Sequence, residues 1–397
     1  MSELLLRAGR IFTGDSVLRD GWLRVEEERI AEISSTEPRT TASARRLEAP
    51  HATLLPGLID CHVHLSLGGG PDWLTEVQES YALTCWKSAL RARETLRAGF
   101  TTVRVLGGKN GIDVALRDAQ AAGLLPAPRI VPANLIVCMT GGHAHWLGRE
   151  ADGPDEVRKA VREQLRAGAD CIKLIATGGV MTRGVDPGAQ QLTHEELCAG
   201  VEEAHKAGLP VAAHAHGDEG VKAAVLAGVD SIEHGSFMSD ATLDLMRTRG
   251  TVYSVTLCSA RGFLEAPPGS VAEWAMTKAR TVDRAMSNTF QRAAQAGVKL
   301  VLGTDAGTPF NKHGDNAREL ALMVRLGLDP LDALRAATRN GAELLRRSED
   351  LGILEVGKAA DMVLCDGDAI ADVERLCNRD NIHLVLQSGR IVYEQGI

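Results

Sequence analysis

Long apolar runs are missing from this chain of 397 residues. No stretch approaches the roughly 18 apolar residues that a membrane-spanning helix needs. A surplus of basic residues is missing too. Lys and Arg number 44 against 52 Asp and Glu, a formal net charge of −8, and nucleic acid as a main partner would call for the opposite balance. There is no CxxC pair. The eight cysteines, at positions 61, 85, 138, 171, 198, 258, 365 and 377, are scattered singly, as small buried thiols of a reducing compartment are. The opening MSELLLRAGRIF lacks the basic start and apolar core of a signal peptide. The expectation is therefore a cytoplasmic protein with neither membrane nor nucleic acid as partner. Dinucleotide binding has no support, because SLGGGPDW is not a GxGxxG turn opening a helix after a strand. What is present is ordinary globular composition, 44% apolar and 24% charged, with ample core to bury.

One pattern recurs along the chain. An amphipathic stretch ends in glycine, and a short apolar β-rich run follows. It occurs at Gly99, Gly123, Gly168, Gly208, Gly228, Gly250 and Gly297, before TTVRVL, RIVPANLIV, ADCIKLIA, LPVAAHAH, VDSIEHG, TVYSV and VKLVLG. Glycine just past a helix takes the left-handed conformation that turns the chain into the next strand. Seven such junctions join eight strands, the first being TLLPGLIDCH over 53–62. The helices carry their own signals: a capping box from Thr193 to Glu196, Asp155 as a cap, and Asp329 before Pro330 at the first helical position. The fold class is α/β, a (β/α)₈ TIM-like barrel over 54–349, with a doubly wound open sheet as the alternative. The ends differ: residues 3–34 and 358–394 alternate with period two between glycine turns. They are expected to pair as one small composite β-sandwich domain, residues 1–53 plus 350–397.

Polar residues fall on these strands in a telling way. His62 and His64 close strand one, Lys173 lies in strand four, His214 ends strand five, His234 ends strand six and Asp305 follows strand eight. All sit at C-terminal strand ends, where a barrel gathers its active site. One strand histidine alone is more often a satisfied core residue. Four imidazoles and a carboxylate converging at one rim suit a divalent metal, zinc foremost. Lys173 among apolar neighbours reads either as a partner of a buried carboxylate or, preferred beside cations, as a neutral amine that CO₂ would convert to a bridging carbamate. His143 in TGGHAHW is a candidate for the scissile carbonyl or the substrate, or else fixes the glycine turn. Arg183, the one cation in GGVMTRGVDPGAQQ, is a candidate for a substrate carboxylate. Arg261 and Lys312 rest on loop position alone.

PGLIDCHVHL, ADCIKLIATGGV, VAAHAHGDEG, SIEHG and GTDAGTP, in order over residues 54–310, resemble the amidohydrolase superfamily. HGDNARELALMV, ALRAATRNGAELL and LGILEVGKAADMVL extend the resemblance over nearly the whole chain. DGPDEVRKAVREQLRAGAD and TGGHAHW look most like its branch of Xaa-Pro dipeptidases (prolidases) and carboxypeptidases acting on N-acyl and N-carbamoyl amino acids. The resemblance implies a binuclear centre: His62, His64 and Asp305 on one metal, His214 and His234 on the other, and carboxylated Lys173 bridging them. A hydroxide between the metals would attack the amide, with Asp305 as proton shuttle. His216 would support the centre rather than ligate. VYSVTL departs from the branch, which often has a Pro-Thr pair there. The implied substrate is an N-acyl amino acid or Xaa-Pro dipeptide, and the implied assembly a homo-oligomer. Alternatives at the same site are a carbamate, urea, arylamide, xenobiotic or mycotoxin amide, or a lactone. A deaminase would lack Lys173, and a non-enzymatic scaffold would lack ligands.

Overall fold

A computed structural model describes residues 3–109 and 111–396. The strand expected over 53–62 is two strands. After β1 (Glu3–Phe12), β2 (Val17–Glu26) and β3 (Arg29–Ser34), the long β4 (Arg45–Pro56) runs beside β1, and β5 (Leu58–Val63) begins the barrel. The break falls at Gly57, whose N–H donates to the Asp361 carbonyl at 2.9 Å. Thr101 packs so near Gly57 that a Cβ there would have no room.

The barrel continues through β6 (Phe100–Val105), β7 (Arg129–Pro132), the short β8 (Ile136–Cys138) and β9 (Gly148–Glu150), β10 (Ile172–Ile175), β11 (Val211–Ala215), β12 (Ser231–His234), β13 (Val252–Ser254) and β14 (Leu300–Val301). Neighbouring strands are parallel throughout. Two backbone seams close the ring: Cys61 N–H to the Leu302 carbonyl (2.8 Å) and Asp305 N–H to that of His62 (2.7 Å) on one side, Asp170 N–H to that of Pro132 (2.8 Å) on the other. RIVPANLIV is thus not one strand, since β8 leaves β7 to pair with β10 and β9. β5, β6, β10, β11 and β12 are buried at every position, as strands covered by helices must be.

All seven junction glycines have φ between +71° and +96°. The Thr193 capping box is formed, with Glu196 N–H donating to Thr193 Oγ1 and Glu196 Oε2 accepting from Thr193 N–H. Asp329 accepts from Leu331 N–H at 2.9 Å. Asp155 is a correction. Its helix starts at Pro154 and is capped by Gly153, because proline occupies the first turn, so Asp155 already lies inside it.

The chain ends complete one seven-stranded sheet with β15 (Met362–Cys365), β16 (Ile382–Gln387) and β17 (Arg390–Glu394), in the order β17-β16-β15-β4-β1-β2-β3. The sheet folds over so that Leu6, Leu23, Val25, Leu54, Met362, Leu384 and Leu386 share one core. Ile30 N–H reaches the Lys358 carbonyl and Ala360 N–H that of Glu28, each at 2.9 Å. This is the composite sandwich of both termini beside a TIM-like barrel. Among the described residues no helix is long and apolar enough to cross a membrane.

The helix Leu257–Leu264 after β13 has no side-chain cap of its own. Buried Glu319 replaces it, accepting the Leu257 and Cys258 N–H groups at 2.7 and 2.8 Å, a carboxylate where the helix dipole favours one. Burial nevertheless pushes its pKa up to about 7. The folded pKa lies above the unfolded value, so Glu319 favours folding most below the unfolded pKa of about 4.5 and loses that contribution as pH rises through about 7. The full span is about 3 kcal/mol at 1.36 kcal/mol per unit. In Glu319→Gln, urea midpoints at pH 5 and pH 8 are expected to differ less than in the wild type.

Candidate metal centre

The residues singled out on separate strands meet at the C-terminal mouth of the barrel. His62 Nε2 and His64 Nε2 lie 3.3 and 3.0 Å from Asp305 Oδ1. His214, His216 and His234 form a second group, each with a ring nitrogen within 4.8 Å of the others. The groups adjoin, with the His62 and His234 ring centroids 5.2 Å apart. His216, assigned from sequence to a supporting place, therefore brings its own donor nitrogen to the centre.

Each ring is aimed by its far nitrogen. His62 Nδ1–H donates to Glu233 Oε2 at 2.9 Å and His64 Nδ1–H to the Gly107 carbonyl at 2.8 Å. His214 Nε2–H donates to the Gly178 carbonyl at 3.0 Å. His234 Nδ1 meets Thr256 Oγ1 at 2.7 Å. That hydroxyl spends its proton on the Val255 carbonyl, so the histidine is the donor. These partners fix the tautomers. In the neutral imidazoles they leave lone pairs on Nε2 of His62, His64 and His234 and on Nδ1 of His214. Burial holds His62 down to about 4 and His216 to about 3, and drives His214 and His234 well below 6.5. The rings are thus neutral donors at physiological pH.

Two ring nitrogens and a carboxylate oxygen thus converge on one point, a donor set that suits a cation. Asp305 stays below the usual carboxylate range: burial raises its pKa, and His62, His64 and Lys173 outweigh burial. Lys173 Nζ is 2% exposed as a residue and has no hydrogen-bond partner among the described residues. Burial lowers its pKa to about 8 against the opposing pull of Glu233 and Asp305. It lines the same hollow as His62, His64, His214, His234 and Asp305.

Backbone strain gathers here. His234, Thr256 and Asp305 have φ of +74°, +62° and +60°, each costing about 1–3 kcal/mol for a non-glycine residue. The Tyr253 hydroxyl donates to the His234 carbonyl at 2.8 Å, holding that turn. Asp60 braces the other side, accepting from His62 N–H, Thr304 Oγ1 and Asn316 Nδ2.

Beneath the histidines runs a network the sequence reading missed. Arg104 is fully buried. Its guanidinium donates to Glu233 Oε1 (2.8 Å), Ser231 Oγ (3.1 Å) and the Cys61 carbonyl (2.6 Å). Burial alone would raise the Glu233 pKa, but Arg104 holds it far below the ordinary carboxylate range. The available signal was a charge inside each of two apolar strands, in TTVRVL and SIEHG.

Of the substrate candidates, His143 is buried at the cavity, its ring centroid 4.4 Å from that of His214 and its Nδ1 2.8 Å from Thr182 Oγ1. Arg183 is a correction: it is exposed and absent from the cavity lining, to which its loop contributes Val180 and Met181 instead. The loop tip turns its short apolar residues inward and leaves the arginine in water. Arg261 is paired with Asp283 at 2.6 Å, and Lys312 is exposed.

Fold and cavity together define the class: a (β/α)₈ barrel that brings a histidine-rich cavity to its strand ends. The Amidohydrolase family matches residues 53–392, and the chain belongs to it. It is a hydrolase acting on C–N bonds. Ochratoxinase of Aspergillus niger is 31% identical over 99% of this chain and 87% of its own length. Among solved structures, a Xaa-Pro dipeptidase with methionine bound in its active site aligns at 34% identity with a TM-score of 0.92, covering 99% of this chain and 100% of that one. A prolidase complexed with N-methylphosphonate-L-proline aligns at 29% identity and TM-score 0.91, with the same coverage.

Replacing Arg104 by Met leaves the Glu233 charge buried without its partner. The expected loss is about 3–5 kcal/mol, read from urea midpoints. Arg104→Met with Glu233→Gln is expected to recover part of that loss.

Proposed function

We propose that this enzyme hydrolyses the amide bond of a small molecule, an N-acyl amino acid or Xaa-Pro type dipeptide, with two divalent ions, zinc foremost. The observation carrying the reading is the convergence of His62 Nε2 and His64 Nε2 on Asp305 Oδ1, at 3.3 and 3.0 Å, while Glu233 and the Gly107 carbonyl hold the far ring nitrogens. Imidazole and carboxylate donors in that mixture suit zinc. His62, His64 and Asp305 would hold one ion, His214 and His234 the other. Lys173, carboxylated by CO₂, would be shared between them. Its orphaned, buried nitrogen fits that role, because burial enlarges the share of neutral amine that CO₂ requires. When bound, the ions supply Lewis acidity and lower the pKa of water.

The chain's own residues do the rest. Asp305, kept ionised at neutral pH, takes a proton from the attacking water on its carboxylate and returns it to the leaving nitrogen. His143 keeps a ring nitrogen, Nε2, free for the carbonyl oxygen while Thr182 engages the other. Phe263, Val282 and Met181 on one side and Trp146, Leu147 and Leu67 on the other offer apolar surface to the groups flanking the amide. That lining also favours a second reading, an arylamide or mycotoxin amide, in line with the ochratoxinase relative.

Purified enzyme grown with zinc and bicarbonate is expected to carry nearly two metals per chain and to turn over N-acyl amino acids, Xaa-Pro dipeptides or anilides. Lys173→Ala should lose metal and activity together, and retention of both metals would refute its shared role. Asp305→Asn should keep the fold while kcat falls by about 10²–10⁴, and near-normal turnover would remove it as proton carrier.

A further inference from the structure

The loop after β10 lines the cavity with Val180 and Met181. The same side chains pack on the cluster of Phe263, Ala275 and Ala279, against which Trp274 also lies. The base of the loop is tied by backbone, with Gly178 N–H on the Ala189 carbonyl at 2.9 Å and a bridge between Thr177 and Gln190. The tip, residues 179–185, makes no backbone–backbone hydrogen bond to other described residues. Two side chains from elsewhere hold it.

One is His143, through Thr182 Oγ1. The other is Lys278, on the helix Glu273–Gln295. Its ammonium donates to three carbonyls of this one loop: Thr182 at 2.7 Å, Gly179 at 3.5 Å, and Val185. The Trp274 ring lies 5.5 Å from the same nitrogen. A lysine that spends three protons on backbone carbonyls of a single loop is satisfied only while that loop keeps this conformation. Gly179 completes the fit, for a Cβ there would strike the His143 ring.

The free space at the barrel mouth is small. The two adjoining hollows measure about 40 and 50 Å³, room for water, whereas sites for small-molecule ligands span roughly 300–1,000 Å³. A substrate of the size assigned above enters only if part of the lining moves, and the tip is the stretch without a backbone tie. We propose that residues 179–185 are a lid over the cavity and that Lys278 is its latch, a positioning residue that sets how often the lid opens to amide substrates. Closing the lid also seats His143 against His214, so admission of substrate and arrangement of the site are coupled. The substrate part of this inference rests on the amide-hydrolysis reading, and the lid itself does not.

Limited trypsin digestion of the zinc-loaded full chain tests it, because Arg183 at the tip is exposed. In Lys278→Met, which keeps an apolar stem and removes the donors, cleavage after Arg183 should run at least about tenfold faster than in the wild type, with cleavage elsewhere unchanged. Lys278→Arg should restore most of the resistance. Lys278→Gln, a milder loss, should fall between and serves if the methionine variant folds poorly. The ratio of kcat/KM for N-benzoyl-L-phenylalanine to that for N-acetylglycine should rise at least about threefold in Lys278→Met. Wild-type cleavage at the tip overturns the proposal, and so does faster cleavage spread over the whole barrel, which would make Lys278 a general support of the fold. Loop-confined cleavage with no amide turned over would remove the assigned reaction and leave the lid. Normal turnover with unchanged cleavage would remove the lid alone.

Discussion

The centre hangs on a buried ion pair. Arg104 and Glu233 lie inside the barrel below the histidines, and a cation there is tolerable only because Glu233, Ser231 and the Cys61 carbonyl absorb its donors. Glu233 in turn has one oxygen left, which accepts from His62 Nδ1. One interaction therefore ties β5, β6 and β12 together and decides which nitrogen of His62 faces the cavity. Replaced by apolar residues the pair would cost little stability, as buried pairs often do. Its specific consequence is the orientation of a ring.

The remaining histidines follow the same logic with neutral partners. Carbonyls of Gly107 and Gly178 and the hydroxyl of Thr256 each claim one nitrogen and leave the other bare. Burial keeps His214 and His234 from protonating, so they present lone pairs rather than charges. Lone pairs turned toward one carboxylate repel each other, and the fold sustains them beside three left-handed residues, His234, Thr256 and Asp305. Strain and repulsion in one small volume are affordable in a barrel with a large core elsewhere, and they prepare a place for cations.

Much of this was legible in advance because the chemistry repeats with the architecture. Glycine at each helix end located the strands, and six residues at strand ends located the mouth. The misreadings have local causes. TLLPGLIDCH reads as one strand because both halves are apolar, yet Gly57 divides it between two sheets where Thr101 leaves no room for a side chain. Asp155 looks like a cap until Pro154 is seen to begin the helix. Arg183 has the right charge in the right loop, but a side chain that can reach water stays there. For His216 the two-residue spacing gives a face shared with His214, and the pairing of β11 with β12 adds its nearness to His234.

The sequence by itself determined the parallel barrel, the pairing of its two ends and the strand ends where histidines gather, since hydrophobic period and glycine position are local quantities. Only the tertiary structure decided which nitrogen each imidazole offers, that Arg104 and Glu233 meet, that Lys173 has no hydrogen-bond partner among the described residues and that Lys278 grips the loop over the cavity. Those facts depend on hydrogen bonds between residues far apart in the chain, Arg104 and Glu233 being 129 positions apart. No local pattern encodes such a distance. Closing the barrel brings the two together.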